Sequence, residues 1–581
     1  MGAVVADGFD FSPGAQVPIS GGAGQTAATQ ALASAAYRDS PLADISKADS
    51  DSGTSEIKKP KLSLFAPNLG EAFARAVQVR MLGGGRGPLI QSFGTEPQTV
   101  VEHCLSATRI RKQRDAQLTV LMVVCGLLFL PGVLLWLGAF QLRKMFSKDG
   151  EGNGISPLGG VLLALLAAVG LFFMIKLPLN GFWPLYARGM LIAPVVGWWL
   201  AKQICERTAV TLREAWKGLL EGGGVAAKIP EAVPQDPNHT SAETLRQNLA
   251  KVSAEQRSNV VFYAGPKGIL GMGTRWGTWQ LAEELRPAQE GTDIHPFRSW
   301  DVIRAIHDRL RLLERSPLHT GGFQQPPSVR HWIVSPVGEK AKAVSRPEGT
   351  HVDGYEVRDH EIARICNEQQ FGSGDRHYLG VQFVLWDGQL VLTLMITVTV
   401  LHETLRIEVS GHALGPVNSL FTGKPSPKTK EVAKVVRFWE TKTQTLPLIE
   451  PSEVVRLAAR APLTWFPPVL DFLGGKLALP EPFGLRHVWA DKPWRHRFMA
   501  DDALRAATPV LRAVHAAAMS VLKENGRFPA AGPAPRRWCG PAGAERVRGS
   551  GSRPTGPTSC RGCGRRSPRD GPGGRRRTPA R

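Results

Sequence analysis

The segment Gly265-Pro-Lys-Gly268-Ile-Leu-Gly271-Met-Gly273-Thr follows a short apolar, β-branched run, where a phosphate-cradling loop would sit. A P-loop ends in glycine followed by Lys and Ser/Thr at the opening of a helix, so that backbone amides and the helix dipole converge on phosphate. Here Lys267 precedes Gly268, and Trp276-Gly-Thr-Trp279 reads as an extended segment. The dinucleotide-binding spacing is reversed as well. These residues therefore point to a flexible connection or β-turn. The alternative is a ligand- or nucleotide-contacting loop at 265–273, assisted by charged neighbours such as Arg275, Asp375 or Arg376.

The histidines and cysteines give no metal set. His402-Glu403 lacks the second histidine one helical turn on, and His360-Glu361-Ile-Ala-Arg364 fails in the same way. His295, His307, His319 and His331 recur every twelve residues but fall in different kinds of element, so their spacing reads as coincidence. Cys560-Arg-Gly-Cys563 with Cys539 upstream supplies three soft donors where a zinc knuckle needs four. No Gly-x-Ser-x-Gly elbow and no Cys/His pair in a recognisable context occurs. Neither a metal nor a cofactor is expected, and no catalytic residue can be named.

The formal charge of +21 over 581 residues resembles a nucleic-acid signature, but its distribution argues otherwise. The stretch 526–581 holds fourteen arginines against Glu545 and Asp570, so most of the excess sits there. Composition changes abruptly at its start, and 526–581 reads as a disordered Arg/Gly/Pro-rich tail, a frame-shifted or otherwise non-native reading of GC-rich coding sequence. A nucleic-acid partner is not expected. Isolated thiols at Cys104 and Cys366 fit a reducing compartment. The N-terminus has neither a basic region nor a long apolar one, so no cleavable signal is expected.

Apolar clustering dictates the rest. The stretches 118–142 and 155–177 are each long enough to cross a bilayer, and 182–204 is a weaker third. Arg109, Arg111, Lys112 and Arg114 precede the first, and Lys202, Arg207, Arg213 and Lys217 follow the third. By the positive-inside rule two crossings fit better than three, with the following domain at the cytoplasmic face. The expected organisation is a disordered tail at 1–60, a helical juxtamembrane segment at 61–116, a transmembrane region at 117–204, a helix and linker at 205–239, and an α+β domain at 240–525.

Within that last domain a capping box, Thr240-Ser-Ala-Glu243, opens a helix. A strand follows at 259–264. A helix at 300–314 buries Val302, Ile306, Leu310 and Leu313, with Ser299 as cap and Asp301 favouring the dipole. The clearest β signal is an antiparallel meander: strands at 378–385, 390–401 and 405–409, the first two joined by the primed-turn dipeptide Asp387-Gly388. The second of these, apolar on both faces, should be central. Helices are expected at 428–443, 451–461 and 501–524. Trp465-Phe-Pro-Pro and the aromatic–basic run from Trp489 to Phe498 read as packed, Pro-constrained connections, with a bilayer-interface or cation–π role as the alternative.

The run Ile204-Cys-Glu-Arg-Thr-Ala209, with Leu212-Arg213, Trp216 and the strand Asn259-Val-Val-Phe-Tyr263, resembles uncharacterised actinobacterial (Streptomyces-like) integral membrane proteins. The resemblance spans roughly 96–525, implies a membrane location and a GC-rich bacterial source, and transfers no site residues. The expectation is thus a membrane-anchored α+β protein: a transmembrane helical hairpin of two or three helices, then a domain with a β-meander and flanking helices. It would sit in the plasma membrane as a multi-pass protein with the lipid bilayer, protein partners or a second copy as partners, in a non-catalytic binding or scaffolding role. A membrane-tethered enzyme and a subunit of an oligomeric transporter or channel are the rivals.

Overall fold

The computed structural model describes residues 25–525 except 48–55, 59, 84–85, 135, 137–181, 223–237, 266–267, 286, 288–295, 316–325, 338–353, 369–373, 402, 426–429, 438–439 and 447. The longer helices are α1 (Ala27–Ala35), α2 (Leu69–Leu82), α3 (Pro97–Leu121), α4 (Phe182–Leu220), α5 (Thr240–Gln256), α6 (Ser299–Arg315), α7 (Asp359–Asn367), α8 (Pro451–Arg460), α9 (Pro467–Gly474) and α10 (Arg497–Glu524). The strands are β1 (Glu56–Lys58), β2 (Val260–Tyr263), β3 (Thr274–Glu284), β4 (Ser328–Pro336), β5 (Arg376–Leu385), β6 (Leu390–Leu401), β7 (Thr404–Leu414), β8 (Lys430–Arg437), β9 (Glu440–Leu446) and β10 (Lys476–Ala478).

Six strands form one mixed sheet in the order β2-β4-β5-β6-β7-β3. Only β2 and β4 run parallel; every other neighbouring pair is antiparallel. The β5–β6–β7 meander forms as its alternation dictates. Asp387 and Gly388 both have positive φ, 52° and 78°, and Gln389 N–H donates to Trp386 C=O at 3.0 Å, the geometry of a primed turn. β5 and β6 hold the middle of the sheet.

One face of the sheet is sealed by α6 and α10. Val302, Ile306 and Leu310 of α6 and Val510, Val514 and Ala518 of α10 are fully buried against Leu379, Val381, Leu392, Leu394 and Ile407. Burying each aliphatic side chain of this set contributes roughly 1.5–3 kcal/mol, which makes the sheet–helix layer the main source of cohesion here. The caps differ from expectation. Ser299 Oγ accepts from the Val400 amide of β6, whereas the Trp300 amide at the start of α6 donates to Asn367 Oδ1, from the end of α7. Helix α5 is capped by His239, whose Nδ1 accepts from the Ala242 amide, and not by Thr240.

A second core gathers α1, α2, α3, α4 and α5 around Phe73, Phe421 and Trp489, with Phe73 and Trp489 centroids 4.8 Å apart. Residues from Ala28 to Trp489 share it, so the segment expected as a disordered tail supplies α1, buried under α3 and α4. The boundary expected at 240 is likewise bridged by this core.

The membrane-spanning hairpin is not sustained. Among the described residues, no helix is long and apolar enough to cross a membrane. The expected membrane-anchoring role and multi-pass plasma-membrane location, which depend on the hairpin, are corrected accordingly. The physical reason is visible in α4. In its middle turns Ala201 is buried with Leu118 of α3 and with Ile449, Val454 and Leu457. Its earlier turns lie against the continuation of α3, so closely that a Cβ on Gly197 would stand 2.7 Å from that of Cys125. Val124 and Leu127 on one helix and Ile192 and Trp199 on the other stay exposed. The expected span at 155–177 lies outside the described residues, as do the Arg-rich stretch 526–581 and its three cysteines.

The helix expected at 428–443 is instead the antiparallel hairpin β8–β9. Val432, Val435 and Val436 suit helical spacing, but β-branched residues are stiff at χ1, and Thr441, Thr443 and Thr445 alternate with period two.

Candidate functional site

The 265–273 loop bends the chain back on β2. Gly268 N–H donates to Gly265 C=O at 3.0 Å, Ala264 N–H to Gly268 C=O at 3.0 Å, and Leu270 N–H to Phe262 C=O at 2.8 Å. These amides are consumed inside the turn, so they cannot converge on a phosphate. Gly273 has φ +81°, and a Cβ there would stand 2.1 Å from the Ala413 carbonyl oxygen, so this position fixes how closely the loop crosses β7. The loop is a turn, and β3 follows it directly.

That turn nevertheless walls a cleft. On the sheet face away from α6 and α10, Phe93, Ile269, Met272 and Ala490 cover one end over Trp332 and Val391. The remainder opens into a cavity of about 870 Å³, a size typical of small-molecule sites. Its lining crosses the sheet. Thr397, Ser410 and His412 line it beside Ile269, Val334 and Met395, which are themselves almost fully buried. Arg275 and Arg376 stand at the rim. The cross-strand register is responsible: Thr397 lies opposite Glu408, and Ser410 opposite both Met395 and Thr278.

Ser410 Oγ and His412 Nε2 are 3.3 Å apart in the floor, both buried. Burial, reinforced by the nearby Arg275 charge, pushes the His412 imidazole down to about 4, so it is neutral at pH 7. Such an imidazole can donate and accept hydrogen bonds but is a weak base, which suits binding better than proton abstraction. Arg275 pairs with Glu408 at 3.2 Å, and Arg406 reaches the same carboxylate at 3.2 Å. Of the charged residues singled out from sequence, Arg275 and Arg376 meet at this cleft, from strands far apart in sequence. Asp375 is held by a hydrogen bond from Ser335 Oγ instead.

On the covered face a histidine cluster forms that periodicity did not reveal. His331 Nδ1 and His377 Nε2 are 2.9 Å apart, and the His307 ring centroid lies 4.7 Å from that of His331. His307 and His331 thus belong together, whereas His295 and His319 lie outside the described residues, as does His402. The pairing uses the ring nitrogens on each other, and among the described residues no group of three or more His, Cys, Asp or Glu could hold a metal ion. His360 is exposed, and its neighbour Glu361 pairs with Arg364. Cys104, Cys125, Cys205 and Cys366 are free thiols.

The aromatic–basic segments divide. Trp489 is a packed core residue at 1% exposure, but Phe498 at the end of the same run is 69% exposed, and Trp465 and Phe466 are each 64% exposed, so neither segment is throughout the packed connection expected of it.

No curated protein and no solved structure matches the chain. Residues 278–527, from within β3 to just past α10, match the family model of the AbeC-like domain. The polar floor of the cleft lies inside this match, while β2, the glycine-rich turn and Arg275 lie before it. The larger part of the sheet and its covering helices is therefore similar to an AbeC-like domain.

Proposed function

We propose that this chain is a small-molecule-binding protein whose ligand occupies the cleft on the open face of the six-stranded sheet. The observation that carries the reading is the buried Ser410–His412 pair flooring a cavity of about 870 Å³. Buried polar side chains are normally satisfied within the protein. Ser410 and His412 bond to each other and line a cavity that Arg275 and Arg376 also line, a convergence of polar and cationic groups of the kind that orients a ligand. Binding without catalysis is favoured because His412 is too weak a base to activate Ser410 at neutral pH. A nucleotide held by the 265–273 turn is disfavoured because the Gly268 and Leu270 amides are already bonded within it.

The test is a thermal-shift screen of the full chain against metabolite classes, nucleotides included, run beside Thr397→Trp, which fills the cavity. A ligand at about a hundred times its Kd stabilises by roughly 2.7 kcal/mol, several degrees in melting temperature. The expected result is a class of compound whose shift vanishes in T397W. Shifts that persist unchanged in T397W would remove the cleft from consideration.

A further inference from the structure

A second cavity, of about 330 Å³, opens between α2, α9 and β10, and its lining shares no residue with the sheet cleft. Its charged groups are Arg75, Arg80, Arg460 and Lys476 against Glu71 and Asp471. Arg75 pairs with Asp471 at 2.7 Å, Arg80 pairs with Glu481, and Arg460 holds both carboxylate oxygens of Glu71. Among the described residues no carboxylate pairs with Lys476, which is exposed. The wall therefore carries positive charge in excess.

The imbalance deepens behind the wall. Arg111 and Arg114 of α3 act on Glu71 as well, and Asp115 is bound to Arg114 at 2.7 Å. Burial would raise the Glu71 carboxyl, but Arg460, then Arg114 and Arg111, hold it down at about 2, so it stays ionised. Arg111, Arg114 and Arg460 are at 5%, 6% and 2% exposure. These three guanidinium groups share two carboxylates, and Arg111 Nη1 and Arg460 Nε have no partner. A buried charge without a counter-charge is costly. Of the three buried arginines, Arg460 is the one that lines the cavity, so the excess faces solvent there.

We infer that this cavity binds a small oxyanion, a phosphate or carboxylate group, with Lys476 as its charge partner and Arg75, Arg80 and Arg460 around it. Each guanidinium has five N–H donors, so Arg75 and Arg80 keep donors for the anion while holding their carboxylates. The volume is at the small end of ligand sites, enough for one anionic group on a short body. The inference does not depend on the sheet cleft.

Titration calorimetry on the full chain with inorganic phosphate, acetate and glycerol, at constant ionic strength, tests this. Phosphate or acetate should bind saturably, the tighter of the two identifying the group, and glycerol should not. Lys476→Gln should weaken the anion by about tenfold or more, the worth of a charge-assisted hydrogen bond, and Lys476→Arg should restore most of it. Val79, on the cavity wall, is 62% exposed, so Val79→Asp tolerates its charge and should weaken the anion at least as much by repulsion. Thr397→Trp should leave this binding unchanged. Saturation by neither anion, equal binding of glycerol, or parent-like binding in K476Q or V79D would overturn the inference. Loss of the anion in T397W would place it in the sheet cleft and overturn the inference too.

Discussion

His331 Nδ1 lies 2.9 Å from His377 Nε2, so one imidazole must donate and the other accept. That bond exists only while at least one ring is neutral. Burial pushes His331 down to about 4 and His377 to about 3, and each ring's neighbour adds to the shift. Packed around them are His307 of α6, also lowered, with Asp308 beside it, and Asp359 of α7, whose charge pulls His331 slightly the other way.

This pair predicts an acid limb in stability. Both folded-state values lie below the unfolded value of about 6.5, so between these limits the unfolded chain binds more protons than the folded one. Stability is complete above pH 6.5 and falls as pH drops toward 4. His331→Gln should remove part of that slope, on the order of 1 kcal/mol between pH 7 and pH 5 after allowing for partial exposure. Urea denaturation at the two pH values measures it, and parallel losses in the parent and H331Q would show that the pair does not govern the limb.

The turn beside the cleft predicts a contrast between two glycines. Gly268 and Gly273 both have positive φ, 68° and 81°, but nothing lies within 4 Å of a Cβ at Gly268. Gly268→Ala should therefore cost only the backbone term, about 1–2 kcal/mol. Gly273→Ala adds a collision with the Ala413 carbonyl and should cost more, roughly 3 kcal/mol or above. Equal losses in denaturant midpoint would mean that β7 does not approach the turn as closely as described.

The cap of α6 gives a third expectation. Because Asn367 Oδ1 accepts from the Trp300 amide at 3.0 Å, Asn367→Ala should lose about 1 kcal/mol. Asn367→Asp keeps an acceptor near the positive end of the dipole and should retain most of it. Hydrogen exchange at the first turn of α6 should rise in N367A. Unchanged protection there would argue that Ser299 caps the helix after all.

How much of this was legible beforehand varies with the range of the interaction. The stripe Val302, Ile306, Leu310 announces α6, and the alternation around Asp387-Gly388 announces β5 and β6, because side-chain period follows backbone geometry within a few residues. At 428–443 the local signal was mixed, and β-branching outweighed an apparent helical spacing. The apolar stretches near 118 and 182 suggest a lipid-facing surface because composition reports that a surface is apolar and is silent on what covers it. In α4 part of that cover is protein, supplied by helices α3 and α8.

The sequence alone therefore determined the periodic elements, the primed turn and the absence of a P-loop, all of which are set by neighbours along the chain. The tertiary structure alone decided that His331 meets His377, 46 residues away, and that Arg275, Arg376 and His412 surround one cavity. Those meetings depend on strand order and register, where a slip of one residue would turn every side chain to the other face. No local pattern encodes that choice, because it is settled by which face of the sheet α6 and α10 bury.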